Sequence, residues 1–190
     1  YPVFGNRILI PVMDERGTTV TFSGRAIHGE EPKYLHGRNT EIFMKSNHLY
    51  NFNIAKNYAY NDKIYVVEGF MDVAGGNKMN IRNIVATMGT SFSEEQIAML
   101  RRLDCEIILM RDNDKAGRNA MVKEIPELMS KKLKVSVVDL NTVKENLQLA
   151  EDKDSKDLWD FANAGAVEQD LEKARVSGFQ YLMKNQYFLG

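Results

Sequence analysis

From Lys63 onward, short apolar runs alternate with amphipathic stretches at regular intervals. KIYVVEG, NIVATMG, EIILMRD and KVSVVDL are separated by FMDVAGGNKMN, SEEQIAMLRRL and DKAGRNAMVKEIPELMSKKL. The runs are continuously apolar, which marks strands buried on both faces, and the helical spacing between them predicts parallel strands joined by right-handed crossovers. Ser93, with Gln96 three residues on, predicts a helix start closed by a capping box. Ahead of this region, RILIPVMDERGTTVTFSGRAI carries two β-branched runs around Asp14-Glu15-Arg16-Gly17 and predicts an antiparallel hairpin. Between Glu30 and Asn61 the pattern dissolves into charged, aromatic and asparagine-rich sequence, read as a surface-rich connection with at most weak helical periodicity. Beyond Leu140 the chain turns polar and helical, and Trp159 and Phe161 are expected to anchor this tail on the core.

The expected fold class is therefore α/β: a parallel sheet of about four strands with flanking helices, preceded by a small β-containing subdomain and followed by a helical extension. The one change of character, near residue 61, suggests a division into residues 1–61, 62–142 and 143–190. No internal repeat, low-complexity tract or Pro/Gly linker interrupts it.

Composition narrows the function classes only slightly. The 44% hydrophobic residues can build a core and the 27% charged residues keep it solvated, as in a globular chain. Lys and Arg number 25 against 26 Asp and Glu, so any nucleic-acid surface must come from local segregation of charge. Cys105 is the single cysteine and there are three histidines, which excludes an intrachain disulfide and leaves no Cys/His set for structural zinc. His28, His36 and His48 read as surface residues, Cys105 as a small core residue and the ten methionines as core filler. A reducing cytoplasm fits, and no run approaches the ~18–20 apolar residues of a membrane span. The missing initiator Met is read as a sign of excision from something larger.

Candidate chemistry lies at strand ends, because ligands of open parallel sheets collect outside the carboxyl ends of the strands. Glu68 closes KIYVVE and is followed by Gly69; Asp112 closes EIILMRD and is followed by Asn113 and Asp114. Asp72 stands one helical turn beyond Glu68 and is expected to face the same mouth. Asp114 taken alone reads best as the N-cap of a helix beginning near Lys115. Taken together, crowded carboxylates raise one another's pKa and favour a bound cation, and an all-oxygen donor set favours Mg²⁺ or Mn²⁺. Two such ions activate a 3′-hydroxyl and stabilise a leaving pyrophosphate during in-line displacement. Residue spacing alone stops at metal-dependent phosphate chemistry.

The succession VEGFMD, VATMGTSFSEEQ and RDNDKAGRNA resembles the TOPRIM fold of bacterial DnaG-type primases, type IA and type II topoisomerases and some nucleases. Primase members carry E-G-Y/F-M-D, then A-T-x-G-T, then D-x-D-x-A-G-R, and this chain matches all three in order. Upstream, FGNRILIPVMDERG, TFSGRAI and KYLHGRNTEIFMKSNHLYNF resemble the part of the primase polymerase domain just before TOPRIM, so the likeness spans roughly residues 4–160.

The resemblance implies Glu68, Asp112 and Asp114 as catalytic carboxylates and metal ligands, with Asp72 as neighbour. It also implies a later acidic pair in a K-D-P-D-like segment. DKDSKDLWDF offers two Lys-Asp pairs, ending in Asp154 and Asp157, neither followed by Pro-Asp; Asp157 fits better because Asp160-Phe161 follows at the family's distance. Arg25, Lys33, Tyr34, Asn39 and Lys45 occupy the stretch that borders the template and nucleotide groove in primases, and Arg118 is a further phosphate-binding candidate. For any one of them a solvated loop position is as good a reading, with Arg25, in its Gly24-Arg25 pair, favoured. Gly89 and Thr90 are expected to shape a turn beside the metal site, with Thr87 in packing.

The implied activity is DNA-directed synthesis of short RNA primers, a nucleotidyltransferase reaction on single-stranded DNA with ribonucleoside triphosphates and Mg²⁺ or Mn²⁺. Implied partners beyond this chain are a replicative helicase and a zinc-binding module, with no membrane. Two rivals stay open: a TOPRIM nuclease using the same carboxylates, and a non-catalytic nucleic-acid-binding module.

Overall fold

A computed structural model describes residues 3–89, 91–149 and 155–186. It opens with β1 (Arg7–Met13) and β2 (Thr19–Ala26), paired antiparallel across the expected hairpin. In the turn Gly17 takes φ 87°, and the Asp14 carboxylate accepts the N–H groups of Arg16 and Thr18, both at 2.9 Å. A third strand, β3 (Tyr34–His36), adds to β2, so the stretch read as pure connection completes a three-stranded sheet. That stretch also holds a 3₁₀ turn at Lys45–Asn47 and helix α1 (Phe52–Ala59). Its asparagine-rich composition obscures a narrow apolar stripe of Phe52, Ala55 and Ala59, spaced three and four apart.

The second sheet is built from β4 (Lys63–Val67), β5 (Ile84–Ala86), β6 (Glu106–Leu109), β7 (Lys134–Val138) and β8 (Arg175–Ser177), in the order β5-β4-β6-β7-β8. The first four run parallel, as the apolar runs predict, and β8 lies antiparallel on the β7 edge. The last 48 residues are therefore not only helical: within them a three-residue edge strand, half open to solvent, offers too short a pattern to read. The connecting helices are α2 (Phe70–Lys78), α3 (Glu94–Arg101), α4 (Lys115–Ser130), α5 (Leu140–Asn146), α6 (Leu158–Asn163), α7 (Glu168–Lys173) and α8 (Gly178–Gln186).

Alternate strand residues face opposite layers, as the pleat requires. Ile64, Val66, Ile107 and Leu109 pack with residues of α1, α3, α4 and α8; Tyr65, Val67, Ile108 and Val138 pack with α2, α5, α6 and α7. The α3 capping box forms as predicted, with Gln96 N–H on Ser93 Oγ at 3.0 Å and Ser93 N–H on Gln96 Oε1 at 3.2 Å. A smaller cluster of Val12, Phe43, Phe70 and Met88 joins the three-stranded sheet to the start of α2. This joint sets the two sheets on either side of one crevice. Cys105 is a buried free thiol, as expected. Among the described residues no helix is long and apolar enough to cross a membrane.

Candidate active site

Strands β4 and β6 are neighbours in parallel register, Val66 opposite Leu109, so the residues that follow them emerge side by side. Glu68 and Asp112 are those residues, and the Asp112 N–H points at Glu68 Oε1 at 3.4 Å. Asp72 follows in the first turn of α2 and is only 6% exposed. Both of its oxygens accept backbone N–H groups: Oδ2 from Gly69 at 2.9 Å, which closes the start of α2, and Oδ1 from Leu158 at 3.0 Å, at the start of α6. One carboxylate thus ties two helix starts together. Its packing is close, because a Cβ on Gly75 would sit 2.8 Å from the backbone of Leu158 and Trp159.

That tie delivers Asp157 to the same mouth. Asp157 is the N-cap of α6, accepting the Asp160 N–H at 2.9 Å, and the Asn113 N–H bonds the Lys156 carbonyl at 2.7 Å. The Asp112 loop and the start of α6 are therefore joined directly. Glu68, Asp72, Asp112 and Asp157 all line one crevice of about 520 Å³. Asp114 does not line it: it caps α4, accepting the Gly117 N–H at 2.8 Å, as the capping reading anticipates. Gly117 has no room for a side chain, since a Cβ there would lie 2.2 Å from the Asp112 carbonyl oxygen. Asp114 still acts on the site through its charge.

The electrostatics follow from the crowding. Burial, then the charges of Glu68, Asp72, Asp157 and Asp114, push Asp112 up to about 7. Burial lifts Asp72 to about 6 against the pull of the Gly69 N–H, with Asp157 and Glu68 adding to the rise. Asp157 is raised by burial too, with Lys33 among the groups pulling it back. Beneath this wall lies an ion pair that the sequence does not announce. The Arg111 side chain, wholly buried, binds Glu124 of α4 in bidentate fashion at 2.9 and 3.0 Å and lies 5.5 Å from the ring centroid of Phe92.

Arg25, Lys33 and Tyr34, all predicted, line the opposite wall, with the Arg25 guanidinium 5.9 Å from the Tyr34 ring centroid. The other candidates fall elsewhere. Asn39 accepts the Lys45 N–H at 3.4 Å, and the Lys45 ammonium lies 3.9 Å from where a Cβ of Gly89 would be, beyond the crevice lining. Arg118 is exposed on α4 and outside the crevice lining, and its charge acts on Tyr181. Thr87 is buried and donates to the Gly89 carbonyl at 2.7 Å; Thr90 and Asp154 lie outside the described residues. The His36 ring bonds Ser23 Oγ at 2.9 Å.

Met71, Lys156, Trp159 and Asp160 also line the crevice. Trp159 corrects an expectation: Phe161 is the buried anchor, at 0% exposed, whereas Trp159 remains partly open on the crevice wall. A signal for this was available, since Asp157-x-x-Asp160 is a capping box, which starts a helix at Leu158 and sets Trp159 on its first turn.

Among the described residues no three Asp, Glu, His or Cys side chains are already disposed as a closed metal cage. The reason is visible in the hydrogen bonds, since Asp72 spends both oxygens and Asp114 and Asp157 one each on helix starts. The donor chemistry nevertheless suits a hard divalent ion. The crevice offers five carboxylates, Glu68, Asp72, Asp112, Asp157 and Asp160, and Asp72, Asp112 and Asp157 are held above the ordinary carboxylate range by burial and mutual repulsion.

A model of the TOPRIM domain matches residues 62–139, and one of the N-terminal domain of the DNA primase catalytic core matches residues 1–56. The chain is 43% identical over 141 residues to the DNA primase of Staphylococcus aureus strain COL, covering 74% of this chain and 24% of that protein. To the DNA primase of Staphylococcus epidermidis it is 41% identical over 138 residues, covering 72% and 23%. The chain thus spans about a quarter of the length of these relatives. Among solved structures, a DNA primase domain from Pseudomonas aeruginosa superposes with TM-score 0.80 at 29% identity, over 96% of this chain and 56% of that one. A DnaG primase catalytic domain bound to single-stranded DNA superposes with TM-score 0.74 at 26% identity, over 95% and 55%. The Aquifex aeolicus zinc-binding and RNA polymerase domains give 0.75 at 27%, over 92% and 42%.

Proposed function

Because the chain belongs to the family of DnaG-type DNA primase catalytic cores, we propose that its crevice joins ribonucleoside triphosphates into a short RNA primer on single-stranded DNA. One observation carries the reading: the carboxylates Glu68, Asp112 and Asp157 share a crevice with Arg25 and Lys33, so a divalent-ion site and a phosphate-attracting wall face one another. The nuclease rival shares the first feature, but the primase-specific match over residues 1–56 favours polymerisation.

Glu68, Asp112 and Asp157 are the residues to hold Mg²⁺ or Mn²⁺, with Asp114 contributing charge from the α4 cap. Asp72 belongs to the same set, although its oxygens serve first to fix the starts of α2 and α6. When bound, the ions lower the pKa of the attacking 3′-hydroxyl and stabilise the leaving pyrophosphate. Arg25 and Lys33 are placed to attract the triphosphate or the template backbone, and Tyr34 supports Arg25 from beneath. A zinc-binding module and a replicative helicase are proposed as partners acting through other polypeptide regions, in the cytoplasm.

The test is incorporation of labelled ribonucleotides on single-stranded DNA with Mn²⁺ or Mg²⁺, comparing the chain with Glu68→Gln and Asp112→Asn. Short RNA products that vanish in both variants support the reading. Metal-dependent loss of the template without RNA products replaces it with nuclease action.

A further inference from the structure

Two aromatic rings line the crevice, and they are held differently. Tyr34, partly open like Trp159, has its ring engaged by neighbours: Arg25 lies over it, His36 stacks at 6.3 Å between centroids with an 11° interplanar angle, and Phe70 packs at 5.9 Å. Trp159 is partly open and stands at the other side, next to Asp157 and Asp160. The Lys78 ammonium lies over its ring, 5.8 Å from the centroid, and is itself fixed by a 2.7 Å hydrogen bond to Asn163 Oδ1.

The backbone under Trp159 is fixed from three directions. Leu158 N–H bonds buried Asp72, Asp157 caps the helix, and α2 approaches so closely at Gly75 that no side chain fits between them. A large apolar ring, rigidly mounted and left partly open among charged groups, forgoes burial that Phe161 two residues on obtains in full. A partly open ring in a crevice that also holds Arg25 and Lys33 has one chemical use that this geometry favours, since base–aromatic stacking works with any base and needs only a mounted π face.

The geometry points to Trp159 as the platform on which the base of a nucleoside triphosphate stacks while its phosphates reach the Arg25–Lys33 wall and the divalent ions of the carboxylate site. This rests on the reading of the crevice as a nucleotide site and adds to it where the base goes. The crevice volume of about 520 Å³ suits a ligand of nucleotide size. Lys78, held over the ring, adds a cation to it without being part of the crevice lining. Trp159 is then a positioning residue that fixes the nucleotide without touching the reacting phosphorus.

Trp159 is the single tryptophan of the 190-residue chain, so its fluorescence reports this site alone. The experiment titrates the chain, in the presence of Mg²⁺, with ATP, with tripolyphosphate, and with an oligothymidylate. ATP is expected to quench Trp159 and to bind roughly tenfold more tightly than tripolyphosphate. By calorimetry, Trp159→Ala is expected to bring ATP down to the tripolyphosphate affinity while leaving the latter unchanged, which also shows that the variant is folded. Trp159→Phe is expected to keep most of the ATP preference.

Equal affinities for ATP and tripolyphosphate, or ATP binding undiminished in Trp159→Ala, would overturn the stacking role and leave the phosphate site standing. Quenching by oligothymidylate and not by ATP would overturn it as well, assigning the ring to the template. Failure of both ATP and tripolyphosphate to bind would remove the nucleotide site itself and the platform with it.

Discussion

The two walls of the crevice are made in opposite ways. The acidic wall grows from strands whose last residues are buried outright, Val67 at 1% and Leu109 at 0% exposed, and its carboxylates double as caps and ties for α2, α4 and α6. The basic wall, Arg25, Lys33 and Tyr34, comes from β2 and the start of β3 in a small three-stranded sheet whose Ile8, Leu9 and Phe22 are exposed. Geometry on the first side is over-determined, while on the second it depends on one small apolar joint and a cation–π contact. Substitutions on the acidic wall should therefore change folding and chemistry together, and substitutions on the basic wall should change binding alone.

The largest effect is expected at Arg111. Its guanidinium neutralises Glu124 where neither group meets water, so Arg111→Ala leaves an uncompensated buried carboxylate. The expected loss is about 3–5 kcal/mol, read from urea unfolding. A loss below about 1 kcal/mol would mean that the acidic wall is not anchored from beneath.

Next comes a gain. Asp112 is held at about 7, far above the ordinary value of 3.8, so the folded chain retains a proton that the unfolded chain releases. That contribution to stability is fully present below pH ~4 and is lost as pH rises through about 7. Asp112→Asn removes the charge, and we expect it to raise the Tm by roughly 2–6 °C at pH 8 and to do little at pH 4, while abolishing nucleotide incorporation. A lower Tm at pH 8 would show that the crowding is already relieved within the chain.

A smaller effect sharpens the contrast from the other side. Lys33→Ala should leave the Tm within about 1 °C and reduce the salt slope of single-stranded DNA binding by about 0.7, the share of one phosphate contact. Arg118→Ala, exposed on α4 away from the crevice, should leave that slope unchanged. If the two variants behave alike, the crevice is not where the strand runs.

How much of this was legible in the sequence depends on the length and burial of each element. The four parallel strands and their crossovers were readable because the central strands are buried on both faces and the helices carry caps such as Ser93 and Asp114. Strands β3 and β8 were not, because each has three residues that stay partly or fully open to solvent, whereas the equally short β5 is wholly buried and so reads as an apolar run. Helix α1 hid behind asparagines that tolerate a helix only because Phe52, Ala55 and Ala59 bury its one apolar stripe.

The placement of the acidic residues shows the same division. Glu68 and Asp112 could be read from the strand ends they close. Asp72 could be read only as a neighbour, because its partner, the Leu158 N–H, lies 86 residues away. The Arg111–Glu124 pair left no local pattern at all: an Arg after an apolar strand gives no sign that it turns inward. Trp159 was misread for a complementary reason, since a lone tryptophan in a polar tail is a natural core candidate and only its position beside the Asp157 cap argues otherwise.

The central claim is that the carboxylates of the acidic wall form one divalent-ion site, and thermal unfolding at pH 8 with and without millimolar Mn²⁺ tests it most directly. The account predicts that Mn²⁺ raises the Tm of the chain by several degrees, and that Glu68→Gln and Asp112→Asn each lose most of that rise while Arg118→Ala keeps it. Equal Mn²⁺ shifts in all four proteins, or none in the unmodified chain, would contradict it.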